Sequence, residues 1–203
     1  MVHIIEITHG RPYQQDGSYT EFKKRYTDIN ERVRFSNLWR DGEGLSQLTA
    51  EQVPKKIKIT GLRKTAKLPD AFRVLNGLPL VSDPLRNIIE QLDPKLHQFF
   101  PVEVALPAGR EPDTGYNVFI VTTKKRTIMP ELSDVSGPSR WGSYNLQSPG
   151  SNVSFSPECR EGAHIWREER FRGQLFMSDE LEAAMRSEEL NYLKYWSGKI
   201  VDT

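Results

Sequence analysis

The chain has 203 residues, 37% of them hydrophobic and 27% charged, with a formal net charge of +1. This is the composition of an ordinary soluble globular protein, long enough to bury a real core as one large domain or as a small domain beside a main one. No apolar run approaches the ~20 residues that span a bilayer, and a lone cysteine, Cys159, excludes an internal disulfide and agrees with a reducing compartment.

The opening Met1-Val2-His3-Ile4-Ile5-Glu6-Ile7 has no basic start and carries an acid within its apolar stretch. It reads as a first strand and not a secretion signal, so the protein is expected in the cytoplasm. Phe22, Tyr26, Ile29 and Val33 recur at helical spacing and predict a helix from about Thr20 to Phe35. Lys56-Ile57-Lys58-Ile59-Thr60 alternates with period two like a strand, which Gly61 ends. Around it Lys55, Lys56, Lys58, Arg63, Lys64 and Lys67 meet no acid. A phosphate-tracking surface uses such a run, but no aromatic is interleaved to stack a base. The stretch reads instead as a solvated strand whose lysines discourage edge pairing.

A phrase then appears twice. Leu80-Val81-Ser82-Asp83-Pro84-Leu85-Arg86-Asn87-Ile88-Ile89 returns 96 residues later as Phe176-Met177-Ser178-Asp179-Glu180-Leu181-Glu182-Ala183-Ala184-Met185. Each copy sets an apolar pair before a Ser-Asp that accepts hydrogen bonds from the first free helix amides, then places apolar residues three and four apart. Further apolar runs follow, Phe99-Phe100-Pro101-Val102 and Tyr192-Leu193-Lys194-Tyr195-Trp196. The expected architecture is α+β, a mixed sheet to which two repeated strand-helix-strand units contribute, with Tyr116 to Thr123 as its central strand. Leu85, Ile88, Ile89, Leu92, Leu181, Ala184 and Met185 are the expected buried helix residues. Residues 1–67 form an N-terminal α/β subregion and residues 68–203 the main domain.

Between Glu131 and Gly162 the chain is rich in Ser, Gly, Pro and Asn, with Trp141, Tyr144 and Phe155 embedded. Disordered linkers rarely hold so many aromatics, so this is a loop pinned by its aromatics or a binding loop. The four histidines, His3, His9, His97 and His164, are scattered, and no HExxH, CxxC, GxSxG, GxGxxG or phosphate-binding GxxxxGK[ST] is present. His97 and His164 each precede an aromatic on an expected strand and read as satisfied core histidines. Cys159 reads as a tolerated thiol. The motifs assemble no enzyme, metal site or cofactor site.

Taken in order, Pro69-Asp70, Leu80-Val81-Ser82, His97-Gln98-Phe99-Phe100-Pro101-Val102, Gly162-Ala163-His164-Ile165-Trp166-Arg167 and Phe176-Met177-Ser178-Asp179 form a pattern. Over about residues 68–196 it resembles immunity protein family eleven of bacterial polymorphic toxin systems. Trp166 stands where the family usually has Phe, and a long Ser/Gly/Pro insert precedes Cys159. The resemblance implies an α+β protein encoded beside a toxin, which it binds and silences, with no catalytic residues to carry over.

The charge distribution adds a direction. Residues 1–130 hold 20 Lys+Arg against 15 Asp+Glu, and residues 131–203 hold 8 against 12, a balance of +5 and −4. A nuclease must attract phosphates with a basic cleft, which an acidic surface complements. The expected partner is therefore a cognate toxin effector acting in the cytoplasm, with a nuclease as first choice, and neither a membrane nor nucleic acid is an expected direct partner. The candidate contact residues are the acids Glu158, Glu161, Glu168, Glu169 and Asp179, with Arg140, Trp141 and Tyr144 as anchors. The alternative is a nucleic-acid or small-molecule binding module using the Lys55 to Lys67 stretch.

Overall fold

A computed structural model describes residues 1–6, 48–59, 67–74, 78–107, 109–139, 142–146, 151–171, 174–190 and 194–201. The helix expected over Thr20 to Phe35 lies outside the described residues. The fold is α+β, with two α-helices and two mixed sheets among the described residues. The chain divides into two compact units, one comprising Met1–Glu6, Ile88–His97 and Val121–Thr203, the other Ile7–Asn87 and Gln98–Ile120.

The second of these units carries β2 (Lys56–Lys58), β3 (Ala71–Arg73), β4 (Pro79–Ser82), β5 (Gln98–Ala105) and β6 (Asp113–Ile120), in the order β2-β5-β6-β4-β3. β6 is the central strand and runs antiparallel to both β4 and β5, while β2 runs parallel to β5. β2 is an end strand of this sheet. Its Ile57 is fully buried while Lys56 and Lys58 are exposed, and Lys56 pairs with Glu103. Alternation of apolar and charged residues thus places one face in the core and leaves cations on the other. The core here gathers Ile57, Ile59, Phe72, Leu78, Leu80, Val104, Val118 and Ile120.

The first unit holds β1 (Val2–Glu6), β7 (Lys124–Lys125), β10 (Ser154–Phe155), β11 (Ile165–Glu168), β12 (Leu175–Ser178) and β13 (Lys194–Ile200), in the order β10-β13-β1-β12-β11-β7. A separate two-stranded ribbon pairs β8 (Val135–Ser136) with β9 (Asn145–Leu146). The core gathers Val2, Ile128, Phe155, Cys159, Trp166, Phe171 and Phe176. Gly198 on β13 is required by packing: a Cβ there would lie 2.3 Å from the Phe155 ring and 2.7 Å from the Val153 carbonyl.

Two helices follow Ser-Asp dipeptides. α1 spans Asp83–Leu92 and α2 spans Asp179–Ser187. Ser178 Oγ accepts from the amide of Leu181 at 3.2 Å, and Ser82 Oγ accepts from Leu85 at 3.4 Å while donating to Asp70 Oδ1 at 2.6 Å. Leu85, Ile88, Ile89, Leu181 and Met185 are buried; Leu92 and Ala184 are only partly so, because each sits in the last turn of a short helix at the margin of its apolar stripe.

One expectation needs correction. The strands flanking α1 and those flanking α2 do not join a single sheet: β4 and β5 lie in the five-stranded sheet, β12 and β13 in the six-stranded one. The reason is visible in the pairing. In each case a strand from elsewhere fills the space between the flanking pair, β6 between β4 and β5, and β1 between β12 and β13, antiparallel to both neighbours. Each closed gap builds its own sheet.

Ile88→Ala removes a buried side chain 7% exposed and is expected to cost about 2–5 kcal/mol in chemical denaturation. A change within about half a kcal/mol, the scatter of surface substitutions, would show that Ile88 packs on nothing. Gly198→Ala is expected to cost about 1–3 kcal/mol through overpacking against Phe155, read as a lowered denaturation midpoint with unchanged slope.

Candidate functional site

The acidic candidates sit on turns and strand ends of the six-stranded unit. Glu158 lies in the 3-10 turn Pro157–Arg160 and Glu161 just after it, both exposed, with the Glu161 amide donating to the Glu158 carbonyl at 3.1 Å. Glu169 is exposed at the end of β11. A single lysine ties these positions together. The Lys125 amino group donates to the carbonyls of Cys159 at 3.1 Å and Ala163 at 2.8 Å and lies 4.1 Å from the Trp166 ring centroid, while the Lys125 carbonyl accepts from the Glu169 amide at 2.9 Å. Burial pushes the Lys125 pKa down, and the same burial raises that of the Cys159 thiol, which lies in the core.

Tyr144 is half-buried. Its ring stacks on Phe171 at 6.1 Å and its amide donates to the Arg170 carbonyl at 2.7 Å, which anchors the base of the loop beside Glu169. The expectation that aromatics pin this loop thus has a direct counterpart in Tyr144. Arg140 and Trp141 lie outside the described residues.

Glu168 differs from its neighbours. It is 3% exposed, and its Oε2 accepts from the amide of Thr127 at 2.8 Å, the Thr127 hydroxyl at 3.0 Å and the amide of Ile128 at 3.4 Å. This carboxylate is engaged inside the protein. All four residues of β11 are buried and Glu168 is the last of them, while Glu169, whose amide still bonds the Lys125 carbonyl of β7, is exposed.

Two further clusters connect residues far apart in sequence. Asp93, 2% exposed, accepts at Oδ1 from the His164 amide at 2.8 Å, at Oδ2 from the Ile165 amide at 3.0 Å, and from His97 Nε2 at 3.1 Å. Burial works against its charge, yet the hydrogen bonds from His97, His164 and Ile165 hold its pKa below the ordinary value. His97 Nδ1 in turn faces the Thr122 amide at 3.4 Å, and His164 Nδ1 lies 2.8 Å from Ser178 Oγ. Both ring nitrogens of His97 thus have partners within the fold, and His164 is held through Nδ1.

The remaining candidate, Asp179, opens α2 and is half-exposed. It pairs with the α-amino group of Met1 and, at 2.7 Å through Oδ1, with Nε2 of the buried His3. The other ring nitrogen, Nδ1, lies 3.2 Å from Ser197 Oγ on β13. Desolvation raises and these contacts lower the Asp179 pKa, and the lowering prevails. The three groups line a cavity of about 530 Å³ with Met1, Glu182, Ala183, Arg186 and Ser187. Local spacing gave no sign of this grouping, because 176 residues separate His3 from Asp179.

The sequence model of the immunity protein family (Imm11) matches residues 7–199. This chain belongs to that family. The match runs well upstream of residue 68, so the family's extent includes much of the N-terminal third, which sequence reading alone had left unassigned. No curated protein sequence matches the chain. Among the described residues no helix is long and apolar enough to cross a membrane.

Glu168 generates a pH prediction. Burial raises its folded pKa above the ordinary 4.5 despite the hydrogen bonds from Thr127 and Ile128. Its contribution to stability is therefore present below the unfolded pKa and lost as pH rises through the folded value. The stability of wild type relative to Glu168→Gln should fall as pH is raised from about 4 to about 7, as read by urea titration at each pH. A difference independent of pH would show that the carboxyl titrates normally.

Proposed function

We propose that this Imm11 protein binds a cognate antibacterial toxin and neutralises it by direct occlusion, and that the toxin is a nuclease acting in the cytoplasm. Membership of an immunity family supports a toxin partner. The observation that carries the nuclease reading is the placement of Glu158, Glu161 and Glu169 as exposed charges on segments held by Lys125, on the acidic side of the sequence. Exposed acids on a braced frame suit a partner whose own site must be positive to hold phosphate.

In this reading Glu158, Glu161, Glu169 and Asp179 face the basic cleft, and Arg140, Trp141 and Tyr144 supply the anchoring contacts of the neighbouring loop. Trp, Tyr and Arg bury much area at modest entropic cost and most often carry binding energy. The β-sheets and the two Ser-Asp-capped helices act as scaffold. Protection then rests on binding and needs no chemistry by this chain. The alternative of a phosphate-tracking lysine surface is weakened by the pairing of Lys56 with Glu103.

Charge steering acts on association, anchor packing on dissociation. Against the toxin encoded beside this chain, reversal of Glu158, Glu161 and Glu169 to Lys is expected to slow association by about tenfold or more at low salt. Trp141→Ala is expected mainly to speed dissociation. Surface-plasmon or stopped-flow rates unchanged in both variants would move the interface elsewhere.

A further inference from the structure

The grouping of Ser197, His3 and Asp179 goes beyond toxin binding. We propose that Ser197 is a primed nucleophile, with His3 as its general base and Asp179 as the group that positions His3, and that the cavity around them accepts an acyl ester. Three observations carry this. The contacts run in sequence, Ser197 Oγ to His3 Nδ1 at 3.2 Å and His3 Nε2 to Asp179 Oδ1 at 2.7 Å. A carboxylate accepting from Nε2–H fixes the imidazole tautomer that leaves the Nδ1 lone pair facing the hydroxyl, the arrangement an activated serine requires. The base and the nucleophile also differ in exposure as such chemistry demands: His3 is 5% exposed and held in the sheet, while Ser197 is exposed to an incoming ligand.

The placement is rigid. His3 and Ser197 are directly paired across the antiparallel β1 and β13, and Asp179 is fixed at the first turn of α2, whose N-cap Ser178 pairs with Val2 on β1. Such support from strands and a helix start holds reacting groups more closely than a loop does. The cavity of about 530 Å³ is open and of a size for a small ester. Arg186 is the one guanidinium among its lining residues, and its Nε donates to Glu182 Oε1 at 3.0 Å, so that the pair forms one wall of the cavity.

The reaction balances without any cofactor. Ser197 Oγ forms a bond to the acyl carbon as its proton passes to His3 Nδ1; the ester C–O bond then breaks and the alkoxide leaves with that proton. Water, deprotonated by the same nitrogen, releases the carboxylic acid and restores the hydroxyl.

The test uses a fluorophosphonate, with which the same attack forms a P–O bond, breaks the P–F bond and expels fluoride as the proton moves to His3. The folded full-length protein is expected to take up one adduct, mapped by peptide mass spectrometry to Ser197. Ser197→Ala should abolish it, and His3→Gln should slow it by about a hundredfold, the scale of general-base assistance. Should His3→Gln fail to fold, Asp179→Asn decides the matter: with the acceptor that positions the ring gone, labelling of the folded variant at Ser197 should slow by about a hundredfold, and unchanged labelling would overturn the proposal. No adduct, an adduct at another serine, or labelling equally fast after heat denaturation would overturn the proposal. Toxin affinity measured on Ser197→Ala separates this inference from the binding function, which should be unaffected.

Discussion

Asp93 carries a charge at 2% exposure because donors converge on it, two backbone amides from the start of β11 and the ring of His97. An uncompensated carboxylate in that position would cost several kcal/mol, so the fold of the six-stranded unit requires those partners to be in place together. The consequence extends outward. Fixing His164 and Ile165 sets the register of β11, and β11 in turn aligns Trp166 and Arg167 with Phe176 and Leu175 on β12. Lys125 then reaches from β7 across Trp166 to the carbonyls of Cys159 and Ala163. The exposed turn bearing Glu158 and Glu161 is thus held by a chain of contacts that begins at a buried anion.

Much of this was legible in the sequence, and the reason is local. Ser82-Asp83 and Ser178-Asp179 announced helix starts because capping is satisfied within three residues, and the apolar spacing of three and four identified the buried face at Leu85, Ile88, Ile89, Leu181 and Met185. Lys56-Ile57-Lys58 was readable as a strand for the same reason, its alternation being a property of the chain itself. What was hidden depends on pairing at long range. Nothing in the text of the two similar phrases says that β6 and β1 enter between their strands and divide them into separate sheets. Nor does composition distinguish Glu168 from Glu169.

The histidines show both outcomes. His97 and His164 were read as satisfied core residues, and each ring nitrogen described has a partner supplied by the fold. His3 drew no attention as part of a first strand. Its significance comes from β1 entering beside β13, which brings Ser197 opposite it, and from α2 starting at the end of β12, which brings Asp179 to its other side. A functional grouping of this kind cannot be read from spacing, because each member is contributed by a different element.

The division of acids between interior and surface bears on how such a protein can change its partner. Glu168 and Asp93 are bound into hydrogen-bond networks, and replacing either removes an acceptor from buried donors, a loss of about 1–3 kcal/mol for each donor left unpaired. Glu158, Glu161 and Glu169 meet water, and substitutions at such positions usually fall within about half a kcal/mol. The surface charges are therefore free to vary while the frame that positions them is not. Lys125 holds the turn through the backbone carbonyls of Cys159 and Ala163, contacts that persist when Glu161 is exchanged, whereas Glu158 also accepts from the Ser156 hydroxyl within the turn. A frame held largely by main-chain contacts tolerates exchange of exposed charges better than it tolerates loss of Asp93 or Glu168, whose side chains are themselves the acceptors.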